Sequence, residues 1–123
     1  MAIHNELPIY KAAYELLQLA AALVKNFPRS VKVSIGAAIE RACVNICLLV
    51  AKANAAMDKA PHLDKLLEQQ QEAELLIRLA KDMKFISIHQ WASAVELTTS
   101  VGKQANGWKS SSNTPATHQA RLI

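Results

Sequence analysis

The stretch FPRSVKVSIGAAIERACVNICLLVAKAN, residues 27–54, places a basic segment broken by proline directly before a long apolar helix. Pro28 ends the preceding helix, because proline has no amide hydrogen and disfavours helical geometry at the residue before it. A second helix is predicted from Ser34, whose hydroxyl can cap free amides, to about Ala56. Its apolar residues alternate steps of four and three, which is a heptad seam: Ile35, Ile39, Ala42, Ile46, Leu49 and Ala53.

Two further stretches carry apolar residues at helical spacing. The first helix is predicted from Pro8, a residue suited to a first helical turn, to about Asn26. The third is predicted from about Pro61 through Met83. Their predicted buried stripes are Tyr10, Ala13, Leu17, Ala20 and Val24 on the first helix, and Leu63, Leu66, Gln70, Ala73, Ile77 and Ala80 on the third.

The fourth helix is predicted to begin at a capping box, in which Ser87 caps forward and Gln90 reaches back. It is predicted to end near Trp108 or Lys109. The polar stretch after it is rich in Ser and Thr, which is typical of a flexible tail. The predicted domains are therefore a bundle, residues 1–109, and a tail, residues 110–123. The apolar stripe of the fourth helix is Trp91, Val95, Thr98, Gly102 and Ala105.

Four helices of about twenty residues joined by short turns predict an all-α fold, an antiparallel up-down-up-down four-helix bundle. The composition agrees, since 51% of the 123 residues are hydrophobic and the chain has only three Gly and four Pro. Leu48 and Val50 lie off the heptad seam, so the second helix has more than one apolar face. Self-association into a ring and the ordinary packing of a monomer both explain that surplus of apolar residues.

Cys43 and Cys47 lie one helical turn apart, where reduced, buried thiols are expected.

Positive charge is concentrated between the first two helices. The chain has 14 Lys and Arg against 10 Asp and Glu, which gives a formal net charge of +4. In an up-down bundle the first turn and the third turn lie at the same pole. The candidate nucleic-acid-binding residues are the cations expected at this pole and along the second helix: Lys25, Arg29, Lys32, Arg41, Lys52, Arg78, Lys81 and Lys84.

A structural explanation stays open for part of this set. Lys25, Lys81 and Lys84 lie at the carboxyl ends of helices, where cations offset the helix macrodipole. Arg78 can pair with Glu74, one helical turn before it. Arg29 and Lys32, in the predicted linker, lie outside these explanations and favour a patch for a polyanion.

No familiar catalytic or metal-binding motif is present: HExxH, CxxC, GxSxG, Glu-x-x-His and the Gly-rich phosphate loop all fail to match. The four histidines are scattered along the chain. We therefore expect no enzyme activity, cofactor, metal or small-molecule substrate.

No uninterrupted apolar run reaches the roughly 18 residues of a membrane span, and the first residues are unlike a signal peptide. The expected location is the cytoplasm, without contact with a membrane.

The segments LPIYKAAYELL, NFPRSVKVSIG, LLVAKAN, LLIRLAKDMKFIS and VGKQANGWKSS carry a resemblance over residues 7 to about 110. They resemble the four-helix-bundle proteins related to the accessory variability determinant, Avd, of diversity-generating retroelements. That family includes small proteins encoded in intervening sequences of bacterial ribosomal RNA genes. The resemblance implies a homopentameric ring that binds RNA and/or DNA and associates with the retroelement's reverse transcriptase, without catalytic residues of its own.

Under this resemblance Arg41, Arg78, Lys81 and the cations of the predicted linker would hold phosphates without base specificity. The third helix is acidic through Glu68, Glu72 and Glu74, which makes the surface less basic than such a role suggests. The alternative is therefore a bundle of the ribosomal RNA intervening-sequence type, which would act as a structural oligomer or protein-docking scaffold without binding nucleic acid.

Overall fold

The computed structural model describes residues 4–122, and the side chains of residues 4 and 6–112. The described residues form four long helices and no strand, as the sequence predicts. The helices are α1 (Pro8–Val24), α2 (Arg29–Ala55), α3 (Ala60–Asp82) and α4 (Ile88–Leu122). A 3₁₀ turn, His4–Glu6, precedes α1.

The helices surround one core. α1 packs on α2 and α4, and α3 packs on the same two helices from the other side. The contacts between α3 and α4 run in opposite order along the two helices: Lys81 meets Trp91 near one end, and Asp64 pairs with Lys109 near the other. Because α1 and α3 each pack between α2 and α4, the groove between α1 and α4 faces away from the groove between α2 and α3.

The predicted stripe of α3 is confirmed, because all six of its residues are buried. The seam of α2 is buried from Ile39 onward, while Ile35 is half-buried. On α1 the prediction was partly wrong, since Tyr10 and Leu17 are only half-buried. Two overlapping stripes satisfy the helical period there, and the periodicity alone could not choose between them. Ala13, Ala20 and Val24 of the predicted stripe are buried. The full buried set of α1 is Ile9, Ala13, Leu16, Ala20, Leu23 and Val24.

A small polar cluster ties α3 to α4 inside the bundle. The Gln70 side chain is buried and donates from Nε2 to the carbonyl oxygen of Thr98 at 3.2 Å. The Thr98 hydroxyl donates to Glu74 Oε1 at 2.9 Å. Gly102 leaves the space that the Gln70 amide fills, because a Cβ at residue 102 would lie 3.2 Å from Gln70 Nε2. Buried polar groups with specific partners favour one register of the two helices.

α2 begins at Arg29, directly after Pro28, and not at Ser34 as the sequence predicts. The Ser34 hydroxyl caps no amide, because it donates to the carbonyl oxygen of Ser30 within the helix at 3.1 Å. Proline at the residue before a helix permits an early start, since its fixed geometry leads directly into the first turn. The predicted basic linker is therefore helical, and Arg29 and Lys32 lie in the first turns of α2.

A π-helical turn, Lys32–Gly36, separates the first turn of α2 from its long α-helical part. Such turns hold one extra residue and shift the helix face locally. Here the shift places Gly36 against α1 and the turn after it: a Cβ on Gly36 would lie 2.6 Å from Val24 Cγ1 and 3.4 Å from Phe27 Cδ2. Glycine permits this close approach because it lacks a side chain.

α4 extends to Leu122, past the predicted end near Trp108 or Lys109. A glycine commonly ends a helix by adopting a left-handed conformation, but no described glycine has a positive φ. The helix therefore passes through Gly107. The side chains of residues 113–123 lie outside the described part of the chain, and the division into a bundle, residues 1–109, and a flexible tail, residues 110–123, stays a prediction.

By length and composition α2 could cross a membrane, since its best window has a mean hydropathy of 1.7. The expectation that no segment would qualify was wrong, because it counted uninterrupted apolar runs and not the average over charged positions. A core helix meets the same test, and 44% of the window is buried inside the bundle. Glu40 and Arg41 also lie near the middle of α2, where hydrocarbon disfavours charge. Its place in the core accounts for its apolar composition.

Two glycine substitutions should separate close packing from helix propensity. Gly36→Ala is expected to lower the free energy of unfolding by about 1–3 kcal/mol, because Val24 is stiff and must shift. Gly107→Ala is the matched control, with nothing within 4 Å of its new Cβ. It should raise stability by about 0.5–1 kcal/mol through helix propensity. Urea denaturation at one protein concentration measures both; equal shifts would contradict the close approach at Gly36.

Candidate nucleic-acid interface

The turn after α1 and the turn after α3 meet at one end of the bundle. The rings of Phe27 and Phe85, one from each turn, have centroids 5.7 Å apart and planes inclined by 42°. Phe27 is buried and Phe85 is half-buried. We call this end the basic pole, because six of the eight candidate cations flank the two turns: Lys25, Arg29, Lys32, Arg78, Lys81 and Lys84.

The other two candidates, Arg41 and Lys52, lie outside the basic pole. Both are exposed on the outer side of α2. They are eleven residues apart, which places them on nearly the same face with about 16 Å between them along the axis. Lys52 is in the last turn of α2 and so lies near the opposite end of the bundle, in an open groove with Lys65 and Glu68. The structure therefore does not bring all eight residues together.

Arg29 and Lys32 occupy positions where helix stability disfavours them. Both are exposed in the first turns of α2, at the positive end of its macrodipole. No side chain caps the free amides of this end. Cations here repel the helix dipole, whereas an anion would be attracted to the same amides. Their presence is thus not explained by the stability of the fold.

Lys81 has local partners that the sequence did not reveal. Its Nζ lies 4.1 Å from the centroid of the Trp91 ring and 3.3 Å from Asp82 Oδ1. Arg78 Nε lies 3.9 Å from the Asp82 carboxylate. The expected pair of Arg78 with Glu74 was wrong, because that carboxylate accepts the Thr98 hydroxyl. Asp82 therefore offsets part of the charge of both cations.

Lys84 stands in a backbone conformation that usually requires glycine. Its φ is 65°, in the left-handed region. The turn is closed by hydrogen bonds from the Phe85 amide to the Ala80 carbonyl (2.8 Å) and from the Lys84 amide to the Lys81 carbonyl (2.9 Å). A lysine in this conformation costs about 1 kcal/mol relative to glycine. The chain thus carries an exposed cation at the tip of the basic pole in spite of a local cost.

Cys43 and Cys47 are free thiols inside the core, as the sequence predicts. Burial raises the pKa of Cys43 from 9.0 to about 12, and the neighbouring Cys47 and Glu40 add to the rise. Burial likewise raises the pKa of Cys47 to about 11, although a backbone hydrogen bond opposes the shift. A thiol held protonated is neither a nucleophile nor a good metal ligand. Among the described residues no group of three or more His, Cys, Asp or Glu could hold a metal ion.

The thiols should resist alkylation in the folded protein. At pH 8 we expect iodoacetamide to modify neither cysteine of the native chain and both in urea, as mass spectrometry would show; rapid modification of the native chain would contradict their burial.

The free energy of unfolding should fall as pH rises above about 9, because thiols of the unfolded chain ionise there while the folded ones stay protonated. A Cys43→Ala, Cys47→Ala variant should lose that part of the pH dependence.

Comparison with known protein families gave a match to the family model described as bAvd-like, over residues 7–112. The matched range runs from the residue before α1 into α4 and contains all eight candidate cations. No curated protein matched the chain.

Proposed function

The chain belongs to the bAvd-like family, and on this premise we propose that it is a non-catalytic, nucleic-acid-binding accessory protein of a diversity-generating retroelement. Its proposed partner is the retroelement's reverse transcriptase, which it assists in copying template RNA, with errors, into a target gene. The proposed place of action is the cytoplasm. The observation that carries the nucleic-acid part of this proposal is the basic pole.

Three features of the basic pole support binding to phosphates. The Phe27–Phe85 contact holds two turns together and so brings the six cations that flank them to one end of the bundle. Arg29 and Lys32 stand at a helix start, and Lys84 stands in a left-handed turn, where local stability favours other residues. The only acid within the segments that carry these six cations is Asp82. Contacts of this kind hold RNA or DNA backbones without reading bases, and they weaken steeply as salt rises.

We also propose that the bundle is antiparallel, up-down-up-down, and that about five copies form a ring. Two outer grooves support a head-to-tail contact between copies. The groove between α2 and α3 presents the exposed side chain of Leu48 beside Lys52 and Lys65. The groove between α1 and α4, on the other side of the bundle, is lined by Glu15 and Glu96 together with two leucines. Glu68 also lines the groove between α2 and α3, so that groove has an excess of one positive charge, whereas the other has two carboxylates. The opposite net charge and the apolar side chains make these two grooves complementary.

The exposed apolar side chains also favour a second candidate function. Val44 and Leu48 on α2, and Leu75 and Leu79 on α3, lie outside the core. A structural oligomer or protein-docking scaffold of the ribosomal RNA intervening-sequence type would use such side chains and would not need the basic pole.

Removing charge from the basic pole should weaken nucleic-acid binding. The variant Arg29→Gln, Lys32→Gln, Lys84→Gln is expected to bind labelled RNA or single-stranded DNA at least about tenfold more weakly at low salt. The slope of log affinity against log salt should become shallower by about two to three units, because up to three phosphate contacts are lost. Fluorescence anisotropy across a salt series measures both quantities.

A matched control removes charge elsewhere. Lys11 and Lys103 are exposed, lie away from the basic pole and line neither outer groove. Changing both to Gln should weaken binding much less than the double variant Arg29→Gln, Lys32→Gln, with a nearly unchanged salt slope. Equal losses in these two double variants would mean that net charge alone attracts nucleic acid. If the wild-type protein binds neither RNA nor DNA at low salt, the nucleic-acid function is contradicted and the scaffold function replaces it.

The ring proposal is tested by mass. Light scattering of the wild-type protein should give about five times the 13.5 kDa mass of one chain. Leu48→Asp should reduce it towards a single chain, because a carboxylate replaces apolar contact and faces Glu15 and Glu96 of the next copy. Gln71→Asp, at an exposed site of α3 outside both grooves, is the control and should leave the mass unchanged. A wild-type monomer would contradict the ring.

A further inference from the structure

A groove of about 800 Å³ opens at the basic pole between the end of α3 and the first turn of α4. Its walls combine the Trp91 ring, the half-buried Phe85 and the exposed side chain of Ile88, which is 73% exposed. Lys81 and Lys84 stand at its edge. Phosphate binding explains the lysines, but it needs neither an aromatic ring nor an exposed isoleucine. The groove therefore has an aromatic and apolar surface that phosphate binding at the basic pole does not explain.

We propose that this groove takes an unpaired nucleotide of a single strand, with its base packed on Trp91 and its phosphate held by Lys81 and Lys84. The inference rests on the proposed function, and it adds to it a preference for single strands over duplexes. Aromatic side chains beside cations are the usual means of holding single-stranded nucleic acid, since every base has a face that can stack.

The Lys81 ammonium covers the Trp91 ring in the free protein, and a base can displace it. The ammonium covers the ring at 4.1 Å in the free protein, and the Lys81 side chain keeps 22% of its surface exposed. Stacking of a base on an aromatic ring is comparable in energy to a partly buried cation–π contact, and the ammonium gains the phosphate as a partner in exchange. A base entering the groove thus displaces the ammonium from the ring, and the ammonium turns to the phosphate of the same nucleotide.

Asp82 opposes this binding only in part. Its carboxylate lines the groove, 3.3 Å from Lys81 and 3.9 Å from Arg78, and Arg78 still offsets its charge when the Lys81 ammonium turns to the phosphate. The tip of the groove is formed by Lys84, whose left-handed backbone places it beyond the last turn of α3. The amide of Gln90 is engaged through its oxygen, which accepts the Ser87 amide at 2.8 Å, so its nitrogen remains to donate. An amide donor suits the polar edge of a base.

A paired base is enclosed between its neighbours and cannot enter the groove. Its two faces are stacked and its Watson–Crick edge is paired within the duplex, so the protein meets phosphates, sugars and the groove edges of the bases but no free base face. A duplex would therefore bind to the cations of the pole without touching Trp91. Single-strand binding and duplex binding can therefore be distinguished by whether the surroundings of the Trp91 ring change.

The chain has two tryptophans, which makes that environment measurable. In a Trp108→Phe variant all indole emission comes from Trp91. Titration with oligothymidylate should quench this emission, while a blunt DNA duplex that binds by anisotropy should leave it nearly unchanged. Trp91→Leu should lower the affinity for the single strand by about tenfold and leave duplex affinity unchanged. Trp91→Phe, which keeps an aromatic face, should restore most of the binding.

Trp108 provides a matched control within the same chain. It also has a lysine near its ring, Lys59, with Nζ at 5.8 Å from the centroid. That lysine lies in the turn between α2 and α3, at the opposite end of the bundle, and it also donates to the carbonyl oxygen of Ala53 at 2.9 Å. Trp108→Leu should leave single-strand affinity unchanged. Circular dichroism of each variant reports whether the helices are retained.

The outcomes separate this inference from the proposed function. If single strands bind but Trp91 emission does not change, or if Trp91→Leu binds them as the wild type does, the groove proposal is overturned and the basic pole still holds phosphates. If polyglutamate quenches Trp91 as strongly as oligothymidylate, an acidic protein segment replaces the nucleotide as the ligand. If neither strand form binds the wild type, the nucleic-acid function fails together with the groove.

Discussion

The contact between Phe27 and Phe85 holds the turn after α1 against the turn after α3. Both residues follow the last turn of a helix, so packing their rings together closes one end of the core. An aromatic pair at this distance adds about 0.5–1.5 kcal/mol to the burial of its area. The charge pattern depends on this contact, because it brings cations from residues about fifty positions apart in the chain to one surface. A polyanion meets them as a single basic end.

The start of α2 determines where the cations of its first turns lie on the basic pole. Pro28 ends the turn after α1, and α2 begins at once with Arg29. The π turn then takes up one extra residue and seats Gly36 against Val24. Because of this packing the first turns of α2 are held on the bundle while their outer side stays exposed. The backbone that carries the cations there is fixed in position, which lowers the entropy cost of binding a strand.

The buried cluster of Gln70, Thr98 and Glu74 sets the register of α3 against α4. A shift by one turn would leave the Gln70 amide without its partner in the core, which costs more than the hydrogen bond contributes. The same register places Lys81, three helical turns beyond Gln70, over the ring of Trp91. A polar contact in the middle of the bundle thus determines the geometry of the groove at its end.

The sequence by itself determined the features that depend on neighbours along one helix. These are the four helices, the buried stripe of α3, and the reciprocal cap in which the Ser87 amide donates to Gln90 Oε1 and the Gln90 amide donates to Ser87 Oγ. Local spacing and capping chemistry set these features, so they can be predicted from residues at most a few turns apart. The pole was also predictable as a set of cations, since short turns imply which helix ends are neighbours. Only the tertiary structure decided the buried face of α1, the close packing of Gly36 on Val24, and the contact of Lys81 with Trp91. Each of these depends on the surface that another helix presents, and no local pattern contains that information.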